Sequence, residues 1–130
     1  IPHPSKLPKD KGFAPIHYNI LKKKNKMFMS LIKAVSKVDA GPIYLQNSFK
    51  LSGTELSDEI RKIQGKQILN IIKKFLTKYP NIKSKKQIGS GNFNKRRYPK
   101  DSELNINKTI KQQFNHLRIN DNELYPSFFY

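Results

Sequence analysis

One hundred and thirty residues make one domain, or part of one, and leave no room for two independent cores. Thirty-six Leu, Ile, Val and Phe residues are too many for a disordered chain. The absence of cysteine excludes a disulfide scaffold, a thiol nucleophile and any thiolate metal site. No apolar run approaches the roughly 18 residues of a membrane span, and no signal-type segment opens the chain, so the expected compartment is the cytoplasm. The net charge of +17 suggests an anionic partner. Its make-up weakens that reading: 22 of the 26 cations are Lys, Ile outnumbers Val by 15 to 2, and Asn reaches 12. Lys, Ile and Asn all have A/T-rich codons, so coding bias is a source of much of the excess, whereas base readers and bidentate phosphate clamps lean on Arg.

Pro2, Pro4 and Pro8 keep the segment from Ile1 to Gly12 out of helix and central strand. A helix is predicted from Pro15 to about Lys24, with Ile16, Ile20 and Leu21 facing inward. Met27 to Val35 is a strand with apolar residues on both faces: Met27, Met29 and Leu31 on one, Phe28, Ile32 and Ala34 near the other. After a loop over 36–41, Ile43, Leu45, Phe49 and Leu51 alternate with Tyr44, Gln46, Ser48 and Lys50, predicting a second strand antiparallel to the first.

Ser52-Gly53-Thr54-Glu55 fits a capping box opening a helix. Leu56, Ile60 and Ile63, then Ile68, Ile72 and Phe75, carry its apolar face past an expected break at Gly65 to Pro80. Residues 81–100 form a basic connection containing Gly and Ser. Asn107 is the expected cap of a last helix with an Ile110, Phe114 and Leu117 stripe, and an apolar terminal strand follows Leu124.

The most informative stretch is His3-Pro4-Ser5-Lys6-Leu7-Pro8, followed by Lys11-Gly12 and Ala14-Pro15. It resembles the signature loop of folate-dependent formyltransferases, roughly Asn-x-His-x-Ser-x-Leu-Pro and then a basic residue, Gly and Pro. Val38-Asp39-Ala40-Gly41-Pro42-Ile43, with Gln46 after it, resembles the family's catalytic Asp segment at a matching distance. Lys95 to Glu103, Asn115-His116-Leu117-Arg118 and Tyr125-Pro126-Ser127-Phe128-Phe129 look like the region after the core of sugar N-formyltransferases.

The resemblance implies an α/β fold: the second half of a Rossmann-like core of strands flanked by helices, with a short C-terminal helix and strand extension. Residues 1–80 would be the core and residues 81–130 the post-core part. The implied reaction moves a formyl group from N10-formyltetrahydrofolate to the primary amine of a nucleotide-linked amino sugar, without a metal. His3 would stabilise the developing oxyanion and handle the proton, with Asp39 as its acidic partner. Lys11, Gly12, Val38, Ala40 and Gly41 would lie against the folate, and Ser5, Arg96 and Arg97 against the acceptor. Gln46 is as much a cross-strand partner as a site residue, and His17 and His116 read as surface or packing residues.

Ile1 stands where the family has Asn: either the start of the chain disturbs that alignment, or a donor to the oxyanion is lost, which costs on the order of 100- to 1,000-fold in rate. The expected partners are the missing N-terminal half and a second copy meeting through the C-terminal segment. Without that half the isolated chain is expected to be marginally stable. Two other readings stay open: a methionyl-tRNA formyltransferase remnant, and a non-enzymatic basic module gripping single-stranded nucleic acid through residues 83–98.

Overall fold

Proline decides where regular structure begins. A computed structural model describes residues 1–130. The proline-rich start yields only two-residue strands, β1 (Pro2–His3) and β2 (Lys11–Gly12). Pro15, with its φ preset and no N–H to satisfy, opens α1 (Pro15–Leu21). Next come β3 (Lys26–Ile32), β4 (Ile43–Lys50), α2 (Ser57–Leu76), β5 (Phe93–Asn94), a 3₁₀ turn (Pro99–Ser102) and α3 (Ile110–Ile119). One sheet runs β1-β3-β4 with both pairings antiparallel, and β2 pairs with β5 in parallel. The fold is mixed α/β, and β1 is an edge strand, as its prolines require. No helix is long and apolar enough to cross a membrane.

Only 21 of the 130 residues are buried, so stability rests on two small apolar clusters and on polar ties. Ile16, Ile20, Met27, Leu51, Ile60 and Ile119 form one cluster, drawing in all three helices. Met29, Leu31 and Ile71 form the other, under Ile68, Ile72 and Phe75 of α2. Each fully buried side chain of this kind contributes about 1.5–3 kcal/mol. The alternation of β3 is kept: Met27, Met29 and Leu31 pack on one face, and Ser30 and Ile32 are buried on the other.

Several expectations need correcting. Leu21 is 40% exposed, because α1 buries only Ile16 and Ile20 beside Pro15. Gly65 breaks nothing, and α2 runs unbroken for 20 residues, with Leu69 and Leu76 in solvent and Ile71 fully buried. Glu55 does not open that helix. Its carboxylate accepts the N–H groups of Ser52 and Gly53, closing a turn, and Glu59 accepts the Leu56 N–H at 2.9 Å where the helix starts. Thr109, not Asn107, caps α3 by accepting the Gln112 N–H at 3.2 Å. Ile110 is 68% exposed, and α3 turns Arg118 and Ile119 inward. The terminal segment meets Glu103 through a single bridge at Phe128 rather than a strand.

Arg118 is 1% exposed, and its guanidinium is matched by Glu55: Nε donates to the backbone carbonyl and Nη2 to Oε2, both at 2.8 Å. This pair ties α3 to the turn ahead of α2 and supplies the charge compensation a buried cation demands.

Candidate active site

His3 sits on β1 with its backbone paired to Ser30 of β3, and the residue is 6% exposed. Its Nδ1 lies 3.4 Å from Asp39 Oδ1, and its Nε2 lies 3.0 Å from the Asp10 carbonyl oxygen. Two oxygens thus face a ring that, when neutral, has one N–H to give. The pair lies 36 residues apart in sequence yet shares one polar corner, at the end of the sheet where the β3–β4 register slips between Leu31 and Ile32.

Asp39 is held from three directions. Its backbone takes φ +50°, the left-handed region that Asp tolerates better than most residues. Its Oδ2 accepts the Gly12 N–H at 2.8 Å, and its carbonyl accepts from Gln87 Nε2, also at 2.8 Å. The same Gln87 amide reaches the Gly41 carbonyl at 2.8 Å, so one side chain clamps both sides of the turn. Val38 is 62% exposed at its rim, Ala40 is half-buried, and Gly41 is buried where a Cβ would run into the Lys33 carbonyl.

Lys11 and Gly12 reach this corner through β2. Gly12 has φ +84°, and a Cβ on it would lie 2.6 Å from both the Asn94 carbonyl oxygen and the Phe93 ring. Glycine is required by close approach to β5, and its N–H serves Asp39 directly. Asp10, also left-handed at φ +54°, accepts from Asn92 at 3.0 Å and Asn19 at 3.3 Å and lies 3.6 Å from Lys22 Nζ. Burial opposes its charge, but these hydrogen bonds and the Lys22 cation outweigh it and hold its carboxyl below the usual range.

Ser5 is not brought to the corner. It is 2% exposed, its hydroxyl donates to the Lys9 carbonyl at 2.8 Å, and its own carbonyl accepts from Ser30. Its hydroxyl closes the loop that carries it. Gln46 donates to Ser30 Oγ at 2.8 Å, a cross-strand tie. Ile1 is 59% exposed and presents no polar group to His3.

Arg96 and Arg97 lie elsewhere, in two adjoining hollows of about 310 and 740 Å³ that begin at Phe13, one residue past Gly12. Arg97 Nη2 donates to the Asp101 carbonyl at 2.7 Å and to Asn120 Oδ1 at 3.2 Å. His17 lines the smaller hollow. Burial, reinforced by the Arg97 and Arg61 cations, pushes its ring down to about 4 and outweighs Asp121, so it is neutral at physiological pH. Sequence reasoning missed Asp10, Gln87 and Asn92: Gln87 reaches 46 and 48 residues back, and Asn92 meets Asp10 across 82 residues.

An edge-strand His lies against a left-handed Asp on a mixed α/β frame, with the Leu7-Pro8 loop between them in sequence. The chain is similar to formyltransferases over most of its length. No family model matches the chain. It is 32% identical over 117 residues to the methionyl-tRNA formyltransferase of Mycoplasma genitalium, covering 87% of this chain and 37% of that protein. It superposes on the Clostridium thermocellum methionyl-tRNA formyltransferase with a TM-score of 0.86 at 28% identity, covering 99% of this chain and 56% of the other. An N-formyltransferase from Helicobacter canadensis, solved with folinic acid and dTDP-3-aminofucose, shares the fold at a TM-score of 0.73 and 20% identity over 91% of this chain and 45% of that one. The chain spans 37–38% of the length of the curated relatives it matches over most of its own.

Proposed function

We propose that this chain is the His–Asp-bearing part of an enzyme that transfers a formyl group from N10-formyltetrahydrofolate to a primary amine. The observation that carries the reading is the buried His3–Asp39 pair, with the Asp fixed by Gly12 and Gln87. The acceptor nitrogen attacks the formyl carbon, the bond from that carbon to N10 breaks, one amine proton leaves, and N10 takes up a proton as it departs. In this reading a ring N–H of His3, released from the Asp10 carbonyl, meets the developing oxyanion, and Asp39 orients the ring and relays the amine proton toward N10 directly or through water.

For the folate, a hollow of about 240 Å³ beside Asp39 supports the placement of Val38 and Gly41: Ile1 and Ile32 give it apolar walls, and Lys33 and Lys37 give cations suited to a carboxylate tail. In this reading Ala40 completes the turn and Lys11 flanks it, while Gly12 acts through Asp39.

Two acceptors compete. Arg96 and Arg97 beside an aromatic hollow favour a nucleotide-linked amino sugar. The relatives of 29–32% identity, all methionyl-tRNA formyltransferases, favour the amine of a charged tRNA. Offering formyl donor with a dTDP-amino sugar and, separately, with methionyl-tRNA separates them; formylation of neither by the protein with its full set of domains ends the enzymatic reading. Leu124, Phe129 and Tyr130, exposed at 68, 69 and 93%, support pairing between copies at the C-terminal end.

A further inference from the structure

Residues 85–94, part of the basic connection after α2, lie across the loops that build the His3 corner. Lys85 exchanges backbone hydrogen bonds with Ile43 at 2.7 and 2.8 Å. Gln87 spans the Asp39 turn. Gly91 lies so close to the Leu7-Pro8 loop that a Cβ on it would come within 2.1 Å of the Pro8 carbonyl oxygen. Asn92 meets Asp10, and β5 then pairs with β2, placing Phe93 on the wall of the cleft that the two adjoining hollows form together.

Two of these contacts fall on the residues that face the His3 ring. Asp39 and Asp10 are both left-handed, at φ +50° and +54°, a backbone state that persists in a non-glycine residue only where its surroundings hold it. Asp39 presents Oδ1 to Nδ1 at 3.4 Å, and Asp10 presents its carbonyl oxygen to Nε2 at 3.0 Å. Each is held by an amide side chain of this strap. Gln87 Nε2 donates to the Asp39 and Gly41 carbonyls, both at 2.8 Å, and only an NH2 group suits two carbonyls at once. Its Oε1 is buried without a partner, so the side chain is poorly matched for stability alone. Asn92 grips Asp10 on three sides. Its Oδ1 accepts the Asp10 N–H at 2.9 Å, its Nδ2 donates to the Asp10 carboxylate at 3.0 Å, and its backbone carbonyl accepts the Lys11 N–H at 3.0 Å. That last N–H belongs to the same planar peptide unit as the Asp10 carbonyl, so the bond aims this oxygen at the ring.

A neutral imidazole has one N–H, and the two oxygens compete for it. Which nitrogen carries the proton is set by the hydrogen bonds around the ring. We propose that Gln87 and Asn92 are positioning residues: by holding Asp39 and Asp10 they set the balance between the two tautomers of His3, and with it which ring nitrogen serves the reacting formyl group. The inference rests on the formyl-transfer reading for its kinetic consequence, whereas the tautomer balance belongs to the chain's own residues.

The test is nuclear magnetic resonance of isotope-labelled histidine nitrogens in the protein with its full set of domains, read on the deprotonated ring. The His3 signals are assigned by their loss in His3→Gln. Gln87→Met, which fills the same space without a donor, loosens Asp39 and should move the ratio toward Nε2–H by about fivefold, the weight of one hydrogen bond. Asn92→Ala, at an exposed position, loosens Asp10 and should move the ratio toward Nδ1–H by a similar factor. Circular dichroism and melting check the fold of both, and Asn92→Ala alone decides if Gln87→Met does not fold. Each variant should also lower kcat about tenfold with the formyl-donor KM within about twofold, since geometry and not binding is lost. Ratios that stay put, or that move the same way in both variants, overturn the proposal. Opposite shifts in a protein that formylates no amine uphold the positioning and end the formyl-transfer reading alone.

Discussion

The corner at His3 and the cleft at Phe13 are joined through Gly12 and built on opposite principles. At the corner the reacting pair is held from inside the chain: His3 faces two oxygens, Asp39 takes three hydrogen bonds or contacts, and Gln87 clamps two carbonyls, while Gln87 Oε1 and Asn94 Nδ2 are buried without partners. The cleft instead exposes rings and cations and leaves a guanidinium nitrogen unmatched. Preorganised, self-satisfied groups suit a step in which charge develops, because nothing must reorganise at the moment of reaction. Unsatisfied groups suit binding, because the ligand completes them. Substitutions at the corner should therefore reduce turnover with little change in acceptor affinity, and substitutions in the cleft should do the reverse.

The largest effect should come from Asp39→Asn. The amide oxygen still accepts the Gly12 N–H, so the turn survives, but the ring loses its carboxylate partner. Turnover should fall by about 100- to 10,000-fold in steady-state kinetics while formyl-donor affinity stays within a few-fold. A fall of less than tenfold would remove Asp39 from the chemistry.

Stability breaks at a different pair. Glu55→Gln leaves the Arg118 cation, 1% exposed, without its counter-charge and should cost about 3 kcal/mol in chemical denaturation. Arg118→Met leaves behind a carboxylate that is 14% exposed and can reach water, so it should cost less. Burial works against the Glu55 charge, but hydrogen bonds from Ser52 and Gly53 outweigh it and bring its carboxyl from 4.5 to about 2. Its contribution is therefore present above about pH 4.5 and lost as pH falls toward 2. Equal costs for the two variants would show that the pair is not asymmetric in burial.

Gly12→Ala sharpens the link between corner and cleft. The added methyl meets the Asn94 carbonyl and the Phe93 ring at a positive φ, which should cost about 2 kcal/mol of stability. Since the N–H at this position also holds Asp39, kcat should fall more than KM rises. His17→Gln tests the cleft by pH. The unfolded ring takes up a proton below about 6.5 and the folded one only below about 4, so stability should drop through that window by about 3 kcal/mol. The variant should flatten the drop; an unchanged profile would assign it to other groups.

Periodicity carried much of the fold. The alternation of β3 and β4 needs only neighbouring residues to be legible, and so does the proline start of α1. The His3–Asp39 convergence was legible only because both sit in motifs whose spacing resembles a known family. What stayed hidden depends on partners far along the chain. Nothing local marks Arg118 as buried, since its acceptor is 63 residues earlier, or Gln87 as a clamp, since Asp39 is 48 residues earlier. The capping box was misplaced by one turn because Glu55 and Glu59 both follow the pattern, and tertiary pairing with Arg118 decided between them.

Gly65 gives the smallest effect. A glycine in the middle of a helix costs about 0.5–1 kcal/mol relative to Ala through backbone entropy. Here α2 runs straight through it, its φ is not positive, and an added Cβ meets nothing within 4 Å. Neither sterics nor backbone conformation requires the residue, so Gly65→Ala should stabilise the protein by roughly that amount in thermal or denaturant melts. It should leave formyl transfer and nucleotide binding unchanged, because it lies in neither the corner nor the cleft. A destabilising Gly65→Ala would mean that this face of α2 is covered in the assembled protein by a surface close enough to exclude a methyl group.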